Sequence, residues 1–314
     1  MTLPPRQPPP LRPGARVALV AASSALAASD HLERLEAGIA VLESWGLEVE
    51  RRALHERRWG YLAGRDAERR DDLLRAEHVG AELLACLRGG WGAARLLEQS
   101  LTSLSPRWLL GFSDVTALLW AQLAQGHGGG VHGPLLTSLA AEPSWSQERL
   151  RALLFGEPVA DLPGTPWRGG VAEGPLLVAN LTVATHLLGT PHLPDLRGAI
   201  LVIEDVGEAP YRIDRMLTHW RLSGALGQLA GIGLGQFSGC DDHPPGESGA
   251  DPIAMAARFS LEQVLHDRTG DLGIPVLAEL PVGHEAGNGA LPLGVWARLD
   301  ADAGHLRLLP TPRA

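Results

Sequence analysis

The sequence predicts an α/β protein, with a doubly wound, flavodoxin-like parallel sheet in the N-terminal half and a smaller C-terminal α/β domain with some antiparallel strands. Three observations predict it. From residue 16 to about residue 126, short apolar runs alternate with segments of helical apolar spacing, as βαβ units require. A Pro/Gly/Trp-rich passage at 161–173 then breaks the pattern. Finally, two apolar runs flank an Asp/Gly turn within 292–309 and read as a terminal hairpin. A length of 314 residues suits two domains or one large one. The expected division is a loose proline-rich arm at 1–13, an N-terminal domain at 14–160, a linker at 161–173 and a C-terminal domain at 174–314.

Residues 16–22 (RVALVAA) form a buried strand that enters a turn at Ser23-Ser24. Residues 30–46 place apolar side chains at helical spacing between an Asp start and a Gly stop. A strand at 47–53, a helix at 66–78 and a third strand at 82–88 follow. After Arg88-Gly-Gly-Trp-Gly comes a short helix at 93–99, then a strand at 107–112 and a helix at 113–126. One short helix is expected ahead of the linker. Beyond it lie a helix at 179–189, a strand at 199–205, a helix at 209–224 and a strand at 229–237. Residues 238–252, rich in Gly, Asp and Pro, read as a surface loop. A helix at 255–270 and a strand with its loop at 275–283 precede the hairpin.

Composition removes several classes of function. Apolar residues make up 45% and charged residues 20%, the ordinary globular mixture. Every Lys+Arg position is arginine, which excludes a catalytic lysine. The net charge of −9, with no basic stripe, argues against nucleic acid. The only cysteines, Cys86 and Cys240, supply neither a disulfide framework nor a zinc set. No signal peptide or membrane span is read, so a cytoplasmic protein without membrane contact is expected.

Several constellations could carry chemistry. Ser113 lies within the run WLLGFSDVTALL, where a strand would deliver its hydroxyl to a sharp turn opening a helix. The G-x-S-x-G elbow fails at Val115, and Ser113 could equally cap that helix. Gly89 and Gly90 let backbone approach a ligand, or form an ordinary turn. Glu204 and Asp205 close a strand where α/β proteins bind ligands; either could orient a histidine or cap the helix near Tyr211. His284 follows a strand-like run among glycines, with His132 and His186 as competitors for the role of base. Asp241-Asp242-His243 reads as solvated loop, and Gly231-Ile-Gly-Leu-Gly lacks the spacing of a dinucleotide fingerprint. Cys86 reads as packing.

The segments RGGWGAARLL, LLGFSDVTALL, VHGPLL, ANLTVATHLLGT, AILVIEDVGEAPYRIDRML, GIGLGQF and PVGHEAGNGALPLG together resemble the LD-carboxypeptidase family of serine peptidases, in that family's order and from about residue 14 onward. The resemblance implies a two-domain, dimeric enzyme that removes D-alanine from murein tetrapeptides in cell-wall recycling. It implies Ser113 as nucleophile, Glu204 as carboxylate and His284 as base, without metal or cofactor. The backbone N–H of Asp114 and one of Gly89 or Gly90 would hold the oxyanion, each donor worth about 3 kcal/mol. Trp91 and Asn180 are the expected substrate contacts. Trp91 stands where the family usually has tyrosine, and Ala179 where it has glycine, so the backbone at 179 should not be left-handed. A related immunity peptidase acting on a peptidyl-nucleotide is the nearest alternative, and a non-catalytic peptide-binding protein a more distant one.

Overall fold

Five parallel strands, β1 (Arg16–Val20), β2 (Glu48–Glu50), β3 (Leu83–Cys86), β4 (Trp108–Gly111) and β5 (Gly130–His132), lie in the order β5-β4-β3-β1-β2, the flavodoxin-like arrangement. The structure is a computed structural model describing residues 5–26, 29–99, 107–241 and 258–310. Alternate residues of these strands serve opposite faces, because a strand reverses side-chain direction at every residue. Ala18 and Val20 pack with Leu73 and Ala76 of helix α2 (Asp66–Val79) and with helix α3 (Thr116–Ala124). Val17 and Leu19 instead meet α1 (Ser29–Ser44), α4 (Leu136–Leu139) and α5 (Ser144–Leu154). Helices on both faces make the sheet doubly wound. The start of the helix expected at 113 is a 3-10 turn, Ser113–Val115, running into α3.

The second sheet has eight strands: β6 (Leu162–Pro163), β7 (Thr165–Arg168), β8 (Val171–Asn180), β9 (Ile200–Val206), β10 (Gly231–Ser238), β11 (Val276–Ala278), β13 (Trp296–Asp300) and β14 (His305–Leu308), in the order β6-β14-β13-β8-β9-β10-β11-β7. Strands β8 to β11 run parallel, and the flanking pairs are antiparallel. Helices α6 (Leu181–Leu187), α7 (Pro210–Leu222) and α8 (Leu261–Thr269) connect them. Pro210 opens α7 at a position where its missing N–H costs nothing, and a Ser260/Gln263 capping box opens α8.

The two sheets share a core. Trp120 of α3 is wholly buried, donates its indole N–H to the Val178 carbonyl at 2.9 Å and meets Trp220 of α7 edge-on at 6.2 Å. A short strand β12 (Leu291–Pro292) crosses back and pairs antiparallel with β5. These contacts bring the carboxyl ends of β4 and β9 to one region.

Two expectations about connecting segments are corrected. The passage 161–173 is no free linker: β6, β7 and the start of β8 belong to the second sheet, because the hairpin β13–β14 and strand β11 have edges to pair. Nor does the N-terminal arm hang loose. Arg6 bridges to His127, the Pro9 carbonyl accepts the Trp108 indole N–H, and Leu11 is buried, since proline-rich chain still offers carbonyls and apolar surface. Most of the loop expected at 238–252 lies outside the described residues, as do Asp242 and His243.

Candidate active site

Ser113 follows β4 directly. Its φ of +60° makes it one of two non-glycine residues with positive φ among the described residues. That region costs an L-residue roughly 1–2 kcal/mol, and such strain gathers at functional sites. Phe112 before it is extended and Thr116 after it is helical, so the turn is the sharp strand-to-helix corner that exposes a hydroxyl. Val115 stands where an elbow would have its second glycine; its isopropyl group packs on Gly111, where a Cβ would lie 2.8 Å away. Of the elbow's two glycines, only the one on the strand side of the serine is kept.

The loop after β3 reaches the same corner. A Cβ on Gly89 would lie 3.0 Å from both Cβ and Oγ of Ser113, so only glycine lets this backbone sit against the hydroxyl. Gly90, at φ +108°, leaves no room for a side chain beside Ser24, whose hydroxyl accepts the Trp91 N–H at 3.0 Å. The Asp114 side chain is buried and its Oδ2 accepts the Ala93 N–H at 2.8 Å. Burial raises the Asp114 carboxyl above its usual range, opposed by Ser23 and by the Ala93 and Gly92 N–H groups. From beneath, the wholly buried Arg69 donates to the Gly92 carbonyl at 2.8 Å and pairs with Asp66 at 2.5 Å.

Glu204 and His284 arrive from the second sheet. Glu204 is wholly buried on β9, and its Oε2 lies 2.7 Å from His284 Nδ1. Burial raises the Glu204 carboxyl above its usual range; the bond and charge of His284 oppose this, and nearby Asp205 adds to it. With Nδ1 bound to Glu204, Nε2 is the ring nitrogen left for a reacting group. The His284 ring packs against Phe112, the residue before Ser113, at a centroid distance of 4.7 Å. Gly235 of β10 permits this approach: a Cβ there would strike the Val282 carbonyl at 2.3 Å and crowd Glu204 Cβ at 3.2 Å. Gly233, where a Cβ would meet Leu280, and Gly235 therefore admit the chain that carries the histidine.

The other candidates take different places. Asp205 does cap a helix, but it is α6: its carboxylate accepts from Thr182 N–H and Oγ1 at 2.9 and 2.8 Å. His132 is wholly buried against Phe112, and burial, with the His284 charge, lowers it to about 3, too weak a base for a serine hydroxyl near neutral pH. His186 is exposed and packs edge-on against Trp91 at 6.1 Å. Trp91, an expected substrate contact, is exposed beside the Gly89-Gly90 turn. Asn180, the other expected substrate contact, has its amide buried, accepting Val183 N–H and donating to Asp205, both at 3.1 Å, so it caps α6 and steadies the Asp205 carboxylate. Ala179 lies in β8 without positive φ, as expected. Cys86 is buried and its thiol is pushed well above its usual range by burial, consistent with packing. Among the described residues, no group of three or more His, Cys, Asp or Glu could hold a metal ion.

The sequence reading missed the acceptors that hold the His284 loop. Gln236 Oε1 accepts Glu285 N–H at 2.9 Å, Asn288 Oδ1 accepts Gly283 N–H at 3.2 Å, and Glu142 accepts Gly287 and Asn288 N–H at 2.8 and 3.0 Å. Asn288 had a signal, lying in the histidine motif itself. Glu142 had none.

The sequence profiles of the LD-carboxypeptidase N-terminal and C-terminal domains match residues 17–133 and 173–299. A Synechocystis sp. relative, by name a candidate carboxypeptidase, is 49% identical over 306 residues, covering 96% of this chain and 97% of its own. The murein tetrapeptide carboxypeptidase of Pseudomonas aeruginosa is 36% identical over 311 residues, covering 91% and 94%. Among solved structures, muramoyltetrapeptide carboxypeptidase from Oxalobacter formigenes superposes with a TM-score of 0.80 at 28% identity, covering 95% of this chain and all of that one. The microcin C7 self immunity protein MccF superposes at 0.83 with 20% identity, covering 98% and 99%, a likeness of fold.

Proposed function

The chain belongs to the LD-carboxypeptidase family, and from that premise we propose that it is a serine carboxypeptidase that hydrolyses the L,D-peptide bond releasing terminal D-alanine from murein tetrapeptides. The observation that carries the reading is the 2.7 Å pairing of buried Glu204 with His284, set against the strained turn that presents Ser113. His284 Nε2 takes the proton of Ser113 as the hydroxyl oxygen attacks the carbonyl before D-alanine. Glu204 keeps the remaining imidazole proton on Nδ1 and offsets the positive charge of the protonated ring. The backbone N–H groups of Asp114 and of Gly89 or Gly90 are the donors proposed for the oxyanion, and Gly89 is the residue whose backbone abuts the hydroxyl. His284 then protonates the leaving D-alanine amine, and water, activated by the same ring, releases the peptide from the acyl-enzyme. No step calls for a metal or cofactor.

The choice of a murein peptide over a peptidyl-nucleotide rests on sequence. Identity is 36% to the Pseudomonas aeruginosa murein tetrapeptide carboxypeptidase and 20% to the immunity protein, whereas the fold likeness to the two classes is nearly equal. The test is incubation with an L,D-linked murein tetrapeptide, D-alanine release being followed by mass spectrometry alongside Ser113→Ala. Release by the wild type and none by the variant is expected. Release by both would remove Ser113 from the chemistry. A silent, folded wild type would refute the carboxypeptidase reading and make a peptidyl-nucleotide the next substrate; binding without turnover of either would leave a peptide-binding protein.

A further inference from the structure

Ser113 and His284 stand on different sheets, so their mutual placement depends on whatever ties the His284 loop to the first half of the chain. Glu142, in the connection between α4 and α5, supplies such a tie. One carboxylate oxygen, Oε2, accepts the consecutive N–H groups of Gly287 and Asn288 at 2.8 and 3.0 Å. Two adjacent amides converging on one anion form a small nest, and bonds to a charged acceptor are roughly twice as strong as neutral ones. Among the described residues Glu142 has no ion pair that would otherwise explain its charge.

The loop is clamped on its other sides as well. Gly287 sits at φ +95°, and a Cβ there would lie 2.9 Å from the Trp145 ring, so the chain passes between that ring and the Glu142 carboxylate. The Asn288 carbonyl accepts the Ser146 hydroxyl at 2.7 Å, and its own buried amide oxygen reaches back to Gly283 N–H. Any displacement at 287–288 therefore passes through Asn288 to Gly283 and to the histidine beside it.

We propose that Glu142 is a positioning residue for the base, holding His284 in register with both Glu204 and Ser113 by anchoring the far end of the 283–288 loop. The proposal rests on the triad assignment above. It touches neither the reacting atoms nor the substrate, so its loss should lower kcat and leave KM nearly unchanged. Misplacement by about 1 Å costs up to about 100-fold in rate, which sets the scale.

The test uses the full chain with Glu142→Ala and Glu142→Gln. In Glu142→Ala, kcat should fall by about 10- to 100-fold with KM within about two-fold. The far-downfield proton NMR resonance of the His284–Glu204 bond should broaden into solvent. Glu142→Gln keeps an oxygen acceptor and should recover most of the rate and the sharp resonance. Glu142→Asp, which retains charge but not reach, should resemble the alanine variant and replaces it if that variant does not fold. Unchanged kcat and resonance in Glu142→Ala or Glu142→Asp would overturn the proposal, as would a rate loss in Glu142→Gln with the resonance intact. The resonance needs no substrate, so a wild type that releases no D-alanine would refute the proposed reaction and still leave the positioning role testable.

Discussion

Replacing Glu204 by glutamine should separate activity from stability in opposite directions. The side chain is wholly buried and its contact with His284 is 2.7 Å, a hydrogen bond to a charged group worth about 1.5–3 kcal/mol. The kinetic cost should be larger. A glutamine amide can meet Nδ1 as a donor, which forces the ring proton onto Nε2, the nitrogen that must accept from Ser113. Amide-for-carboxylate replacement in such triads lowers kcat by about 10⁴-fold, which is ~5.5 kcal/mol at about 1.36 kcal/mol per decade. Stability should move the other way. Burial holds the Glu204 carboxyl above its unfolded value, so its ionised form is a cost to the folded state. That cost is absent below the unfolded value of about 4.3 and grows as pH rises through the folded one. The neutral glutamine does not incur it. Relative to wild type, Glu204→Gln should therefore be at least as stable at pH 8, with the difference shrinking towards pH 4. The assay pairs D-alanine release with thermal melts across pH 4–8. A variant within about ten-fold of wild-type kcat, or one whose relative stability declines as pH rises, would refute the reasoning.

Two further substitutions test the nucleophile corner. Gly89 is not at positive φ, so Gly89→Ala fits the backbone, but its methyl group would lie 3.0 Å from Ser113 Oγ; kcat should fall about 100-fold with little change in melting temperature, as steady-state kinetics and calorimetry would read. Ser113→Gly should abolish hydrolysis yet stabilise the fold by about 1 kcal/mol in urea titration, because glycine adopts φ +60° without strain.

Much of this protein was legible without coordinates. Strand and helix positions follow from short apolar runs and from apolar spacings near four residues, which are local, and β1, β3, β4, α1 and α2 lie close to where those patterns put them. The boundaries were less exact: the strand expected over 47–53 is only Glu48–Glu50, because pairing with β1 ends there. Segments judged by composition alone fared worst. Proline and glycine in 161–173 suggested a linker, but an edge strand needs only a partner, and β14 and β11 provide it.

For the site, the sequence by itself determined the candidates: a serine at a strand-to-helix corner, glycines at the neighbouring corner, carboxylates at one strand end and a histidine after another. It left every pairing open. Only the tertiary structure decided that Glu204 faces His284 while Asp205 caps α6, since adjacent strand residues point to opposite sides. Only it set Ser113 into the left-handed region, turned Asn180 inward and brought Glu142 to Gly287 and Asn288 across 145 and 146 residues of chain. The reason is one of range. Periodicity and turn chemistry act over a few residues, whereas hydrogen-bond partners are settled when separate sheets pack together.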